Sequence, residues 1–305
     1  LAILNAFKVD ATDEAYPIHE RLPGKRLALL NWGPSTIKIS FATKTATGME
    51  VAPEEMYLPP TTAIPQVVEA LKQRSDCDCV AVLYSAVSLF CEAQSGPTTD
   101  GGAHLEKRLR GEAKGLIGAN YEDDKVYQML LAPDHQTRIL FAVGKAPYRE
   151  LEKGLRDGGL TVVRAQIAPY ALLNALLADP DWAKPNDEAV VISTIVSQAH
   201  VIVAEFDGDK FSPEIFRATP LFLGGTTDSP EFIEQLRTFF INCAESAVVS
   251  KRVFGKRVIF RWVSAGNPND ATLDLGSYLQ DRSDVDFERW VKAEPNIDFK
   301  ALIAN

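Results

Sequence analysis

The sequence predicts an α/β protein of two similar lobes, and three observations carry that expectation. Alternating or wholly apolar runs are interleaved with segments of helical periodicity, the pattern of sheets covered by helices. A meander of strands, a helix and a further strand occur in order before residue 180, and the same order returns after residue 187. Between them "DPDWAKPND" (179–187) has two prolines, several charges and no periodicity, as an interdomain linker does.

The first lobe is expected over 27–180. Ahead of it, residues 1–26 form an N-terminal extension. There "LAILNAFKV" reads as a strand packed on the first lobe, because an exposed apolar copy would be adhesive, and "DATDEAYPIHERLPGK" reads as a polar loop. The lobe opens with the apolar run "RLALLNW" and with "TIKISFA", in which Ile37, Ile39 and Phe41 alternate with Lys38 and Ser40. "MEVAPEEMYLP" supplies a third strand. A helix at about 62–75 sets Ile64, Val67, Val68 and Leu71 on one face, and "CVAVLYS" is apolar throughout, as in a strand buried on both faces.

Residues 86–145 change rhythm. Strand "VSLFCEA", a Gly/Pro/Thr loop, an amphipathic helix carrying Leu105, Leu109, Ala113 and Leu116, and strands "VYQMLLA" and "RILFAVG" make a small α/β subdomain inserted in the first lobe. The lobe resumes with a helix near Pro147 that Gly158-Gly159 stops. Strand "LTVVRAQI" and helix "APYALLNALLA" follow, the latter apolar all round and so buried between layers.

The second lobe is expected over 187–267. Its meander is "EAVVISTI", "AHVIVAEF" and "KFSPEIFRAT", with a hairpin signal at Asp207-Gly208. Gly224-Gly225 closes it. Ser229-Pro230 opens a long helix whose stripe is Phe232, Ile233, Leu236, Phe239, Phe240, Cys243 and Ala247. "KRVIFRWVSAGN" is a strand entering a turn of small residues, and 268–305 reads as a C-terminal helix and tail. Two similar α/β lobes facing each other describe the actin-like (ribonuclease H-like) architecture.

Composition excludes several functions. A net charge of −9 over 305 residues argues against a nucleic-acid partner, and the cluster Lys107, Arg108, Arg110, Lys114 reads as a solvated helix face. The most apolar run, 189–206, contains Ser193, Ser197, Gln198, His200 and Glu205, so it reads as paired strands and not as a membrane span. Cys77, Cys79, Cys91 and Cys243 form no second pair for zinc and read as free thiols of a reducing cytoplasm. His19, His104, His135 and His200 are scattered, and neither G-x-S-x-G nor G-x-x-x-x-G-K-[ST] occurs. Acidic pairs such as Glu54-Glu55 and Asp123-Asp124 read as solvated loops. No set of residues stands out as catalytic or metal-binding.

The candidate site is the turn in "ALLNWGPSTIKIS" (28–40). Asn31-Trp32-Gly33-Pro34-Ser35-Thr36-Ile37-Lys38 resembles, in register, the D-x-G-[ST]-x-[ST]-[IV]-K phosphate turn of PilM-like type IV pilus assembly proteins, relatives of FtsA. The resemblance extends over roughly 27–267. "GLTVVRAQIAPYALLNALL" fits the family's strand and Ala/Leu-rich helix, and 193–199 occupies the place of a second D-x-G-x-x-x-T turn. Arg217, Pro220, Gly224 and Gly225 echo an R-x-P-x-G-G pattern, and Ala265-Gly266 echoes the adenosine-side turn.

The departures point away from catalysis. In such ATPases one aspartate per lobe holds magnesium through water, since a hard cation wants anionic oxygen. Here the two places read as neutral Asn31 and Ser193. Pro34 has no N–H to offer a phosphate, and Ile195 puts a branched side chain where the family has glycine. The pocket Asn31, Gly33, Pro34, Ser35, Thr36, Lys38, Ser193, Ile195, Gly224, Gly225, Gly266 is therefore expected to be degenerate, with ATP and magnesium binding lost and no cofactor.

The resemblance implies a non-catalytic scaffold in the cytoplasm, attached peripherally to the inner membrane by binding the N-terminal tail of a PilN-like membrane protein, and perhaps other pilus platform proteins. It implies neither nucleic-acid binding nor direct membrane insertion. The alternatives are an active actin-like ATPase or sugar-kinase relative, and a GspL-type cytoplasmic domain of type II secretion. A ligand that binds only the native state must raise its stability. Thermal melts with and without millimolar Mg-ATP should therefore coincide, and a rise of several degrees would contradict the expected loss.

Overall fold

A computed structural model describes residues 18–34, 36–73, 78–85, 89–95, 125–132, 137–178, 189–196, 200–207, 210–211, 217–220, 238, 242, 257–264, 287–293 and 296–303. The strand proposed at 1–9, the linker 179–187 and Gly224, Gly225 and Gly266 lie outside the described residues, as do the inserted helix, all but two residues of the long second-lobe helix, and Ser35.

A single turn of helix, α1 (Ile18–Arg21), precedes the first sheet and buries Ile18 and, just beyond it, Leu22. Part of the extension read as polar loop is thus packed on the core, because two apolar residues one turn apart share a helix face. β1 (Arg26–Trp32) and β2 (Ile37–Lys44) form an antiparallel hairpin. The expected third strand is two short ones, β3 (Met49–Val51) and β4 (Met56–Leu58), both paired with β2. Pro53 lies in the bend between them, where a missing backbone N–H costs no ladder bond. Helix α2 (Ile64–Lys72) then crosses to β5 (Cys79–Tyr84), which runs parallel to β1.

The chain between β5 and the rest of this sheet forms a separate three-stranded antiparallel sheet from β6 (Leu89–Ser95), β7 (Lys125–Leu131) and β8 (Thr137–Gly144), in the order β6-β8-β7. After helix α3 (Lys145–Asp157), β9 (Thr161–Ile167) completes the first sheet in the order β3-β2-β1-β5-β9. Gln128 of β7 ties the two sheets together. Its Nε2 donates to the Ala165 carbonyl at 3.1 Å and its Oε1 accepts from the Ile167 N–H at 2.6 Å, so one side-chain amide pairs with the edge of β9.

Both faces of the first sheet are covered. Leu27, Ala28, Leu29 and Leu30 are all fully buried, as are Ile37, Ile39 and Ser40 of β2. Helices α2 and α3 pack on each other and on the sheet. Their contact is close because Gly154 faces Ile64 and Gly158 faces Val68. Helix α3 ends as the Gly158-Gly159 pair predicts. Gly159 takes φ +77°, its N–H bonds the Arg156 carbonyl, and the Leu160 N–H bonds the Leu155 carbonyl, a Schellman ending with Leu155 and Leu160 buried together. A second helix pair, α4 (Ala168–Ala178) and α5 (Ile297–Ile303), packs against the sheet through the side chains described below.

The second sheet repeats the first. β10 (Ala189–Val196), β11 (His200–Asp207), β12 (Lys210–Phe211), β13 (Arg217–Pro220), β14 (Arg257–Ser264) and β15 (Phe287–Ala293) take the order β12-β11-β10-β14-β15, with β13 also on β11. In each sheet the first hairpin is antiparallel, the third strand is split in two, and the last two strands run parallel to the first. The region 268–305, read as helix and tail, therefore supplies the fifth strand of this sheet. "FERWVKA" hides it because Glu288, Arg289 and Lys292 break the apolar pattern, which an edge strand tolerates.

Helix propensity alone would make Gly154→Ala stabilising by about 1 kcal/mol. A Cβ there would meet Ile64 Cγ2 at 2.7 Å and Cδ1 at 3.0 Å. The expected outcome in denaturant unfolding is a net loss of about 1–3 kcal/mol from overpacking.

Candidate functional site

The first hairpin is closed from within. The Gly33 N–H donates to the Thr36 carbonyl at 3.1 Å, and the Ser85 N–H donates to the Trp32 carbonyl at 2.9 Å. Thr36 Oγ1 donates to the Leu58 carbonyl at 3.3 Å. A phosphate cradle aims its backbone N–H groups at the ligand; here that of Gly33 is directed to its own turn, and Pro34 has none. Gly33 is required for the approach, since a Cβ would lie 2.9 Å from the Thr36 carbonyl oxygen.

Asn31, next to the end of β1, is buried and bonded on both sides. Its Nδ2 donates to Asp298 Oδ2 at 3.3 Å, and its Oδ1 accepts from Ser85 Oγ at 3.1 Å. The carboxylate fixes this orientation, because an ionised Asp can only accept. Asp298, 1% exposed, belongs to α5, the last helix of the chain. The same helix sets Phe299 under the Lys38 ammonium, 5.0 Å from ring centre to Nζ. Lys38 is itself buried and forms an ion pair with Glu55, whose other carboxylate oxygen accepts from the Tyr57 hydroxyl.

Two further bonds seat α5. Asn296, at φ +61°, donates from Nδ2 to the Ala52 carbonyl at 3.2 Å, and Arg164 Nη1 donates to the Leu302 carbonyl at 2.9 Å. Lys38, Asn31, Leu83 and Gln166 are consecutive cross-strand partners over β2, β1, β5 and β9, so they form one row across the sheet. Polar side chains thus interrupt a face that is otherwise apolar. Beside the row, Tyr84 and Tyr148 meet edge to face with centroids 5.4 Å apart. Burial raises both phenols, that of Tyr148 to about 12 with Glu152 adding and Arg149 opposing, so both stay neutral at physiological pH.

The second lobe's counterpart of Asn31 follows from register. Trp32 pairs with Ile37 across four turn residues, and Val196 pairs with Val201 across four. The residue before the last β1 pair is Asn31, and the residue before the last β10 pair is Ile195. Ser193 sits two residues further from the turn than the sequence alignment placed it, and Ser197 takes the place of Gly33. The displacement arises because no glycine or aspartate in this stretch fixes the register. Asp298 and Phe299 went unread as partners of the turn, since 267 positions separate Asn31 from Asp298.

Among the described residues no group of His, Cys, Asp and Glu could hold a metal ion, and no helix is long and apolar enough to cross a membrane. The basic cluster at 107–114 lies outside the described residues. Cys79 is a buried free thiol.

No protein-family model matches the chain, and no curated protein sequence does. Solved structures do. A Bacteroides thetaiotaomicron protein described as having an "actin-like ATPase fold and unknown function" superposes with TM-score 0.54 at 9% identity, over 92% of this chain and 95% of that one. The chain has an actin-like fold. A "PilM-PilN type IV pilus biogenesis complex" also superposes with TM-score 0.54, at 16% identity over 90% of this chain and 95% of that one. The cytoplasmic domain of EpsL from the type II secretion system of Vibrio cholerae gives 0.49 at 14% identity, over 91% and 92%.

Removing one member of a buried ion pair costs about 3–5 kcal/mol, whereas replacing both can be neutral. Glu55 is 14% exposed, which places Lys38→Met near the lower end. Lys38→Met should therefore destabilise by about 3 kcal/mol in denaturant unfolding, and adding Glu55→Gln should recover most of the loss.

Proposed function

We propose that this chain is a non-catalytic scaffold: a PilM-like cytoplasmic component of a type IV pilus, or related secretion, platform at the inner membrane. The observation that carries the first half is the Asn31–Asp298 hydrogen bond. Where an actin-like ATPase would keep an aspartate facing a hydrated cation, this chain has a neutral amide already bonded to one of its own carboxylates. A divalent cation gains little from an amide oxygen that is already accepting from Ser85, and the counterpart position, Ile195, has no oxygen on its side chain. Catalysis that depends on a nucleotide-bound cation has no ligand set here.

The partner is supported by likeness to the PilM-PilN complex. The occupant proposed is the N-terminal tail of a PilN-like membrane protein, an extended segment that gains affinity by backbone pairing with a sheet edge and by apolar pockets for alternate side chains. Of the inserted strands, β8 lies in the middle of its sheet and is no edge, which removes "RILFAVG" as a docking strand. β7 is directed towards β9 through Gln128. β6 is the remaining edge and the proposed seat.

Calorimetric titration of the intact chain with a synthetic tail from the neighbouring single-span protein should show binding, with backbone hydrogen exchange slowed at 89–95. Protection confined to the second sheet would contradict the seat, and no binding would contradict the partner.

A further inference from the structure

We propose that α5 is an intramolecular strap that joins the two sheets, and that Asn31 is its receptor. A seven-residue helix cannot hold itself, since helices this short are marginal without tertiary contacts. Its four anchors spread across the first sheet. Ala52 lies just past β3, Lys38 is on β2, Asn31 on β1 and Arg164 on β9. At the other end, α5 is tied to the second sheet, because only residues 294–296 separate it from β15. Four residue steps from Ala293 to Ile297 span at most about 14 Å when fully extended. Seating α5 on the first sheet therefore holds the end of β15 within that distance of it. A ligand bound between two lobes joins them by touching both; this chain makes the join covalently at one end and by buried polar contacts at the other.

The strap explains the residue at position 31. Asp298 is buried, so its carboxylate requires donors, and an amide supplies one where a carboxylate cannot. An aspartate at 31 would set two carboxylates about as far apart as the present 3.3 Å bond. Asn31 is then a requirement of the strap and not a ligand lost by decay. The inference rests on reading this place as free of nucleotide.

The test is a double-mutant cycle on the full chain at neutral pH, read by denaturant unfolding and by hydrogen exchange at 297–303. Two carboxylates sharing a site shift a pKa by about 1–3 units, so Asn31→Asp should lower the folding equilibrium constant about 10- to 1000-fold and speed exchange of α5. Asp298→Asn alone should change little, because an amide oxygen still accepts from Asn31. The double variant should return both readings close to those of the unaltered chain. If Asn31→Asp alone fails to fold, a folded double variant supports the strap, and an unfolded one overturns it. Wild-type stability in Asn31→Asp overturns it, as does its recovery by millimolar magnesium alone, which would make the place a cation site. If Mg-ATP stabilised the unaltered chain while α5 kept its protection, the nucleotide-free reading would fail and the strap would stand.

Discussion

A carboxylate removed from water must be met by hydrogen-bond donors, and satisfying Asp298 links most of what distinguishes this molecule. Asn31 can donate to it only because position 31 is an amide, and it can be reached only because the last helix returns to the first sheet. Ser85, at the end of β5, turns its hydroxyl to the other side of the same amide. Three segments, at residues 31, 85 and 298, are thereby fixed by two hydrogen bonds. Lys38 extends the arrangement by placing its charge between Glu55 and the face of Phe299, a cation–π contact worth about 0.5–2 kcal/mol according to burial.

The duplicated sheets set the frame for these contacts. Both follow an order in which a hairpin meander is extended by parallel strands, and both break the third strand into two short pieces on the same partner. Parallel strands joined through helices bury both faces, and so β5 is apolar at every position. The polar row Lys38, Asn31, Gln166 breaks that rule near the carboxyl ends of the parallel strands, where open α/β sheets bind their ligands. In this chain a helix of its own covers the row.

Most of the frame was legible from local pattern. The period of Ile64, Val67, Val68 and Leu71 found α2, the unbroken apolar run found β5, and Gly158-Gly159 marked the end of α3, because each is decided by neighbours in sequence. Errors fell where distant contacts decide. β15 carries three charges, and only its pairing with β14 makes it a strand. Ser193 was placed two residues off because register depends on cross-strand partners, which a single strand does not display. That the pocket lacked acidic ligands was readable from Asn31; that its amide serves Asp298 was not, since nothing near "NIDFKALI" names a partner in β1.

The central claim is that the place of the nucleotide-bound cation is occupied by the chain itself. A crystal structure of the protein grown with millimolar ATP and magnesium tests it most directly. The account predicts an Asn31–Asp298 contact near the present 3.3 Å, α5 seated over Lys38, and no phosphate density at the turn formed by Gly33, Pro34 and Thr36. Phosphate and metal density at that turn, with α5 displaced from Asn31, would contradict it.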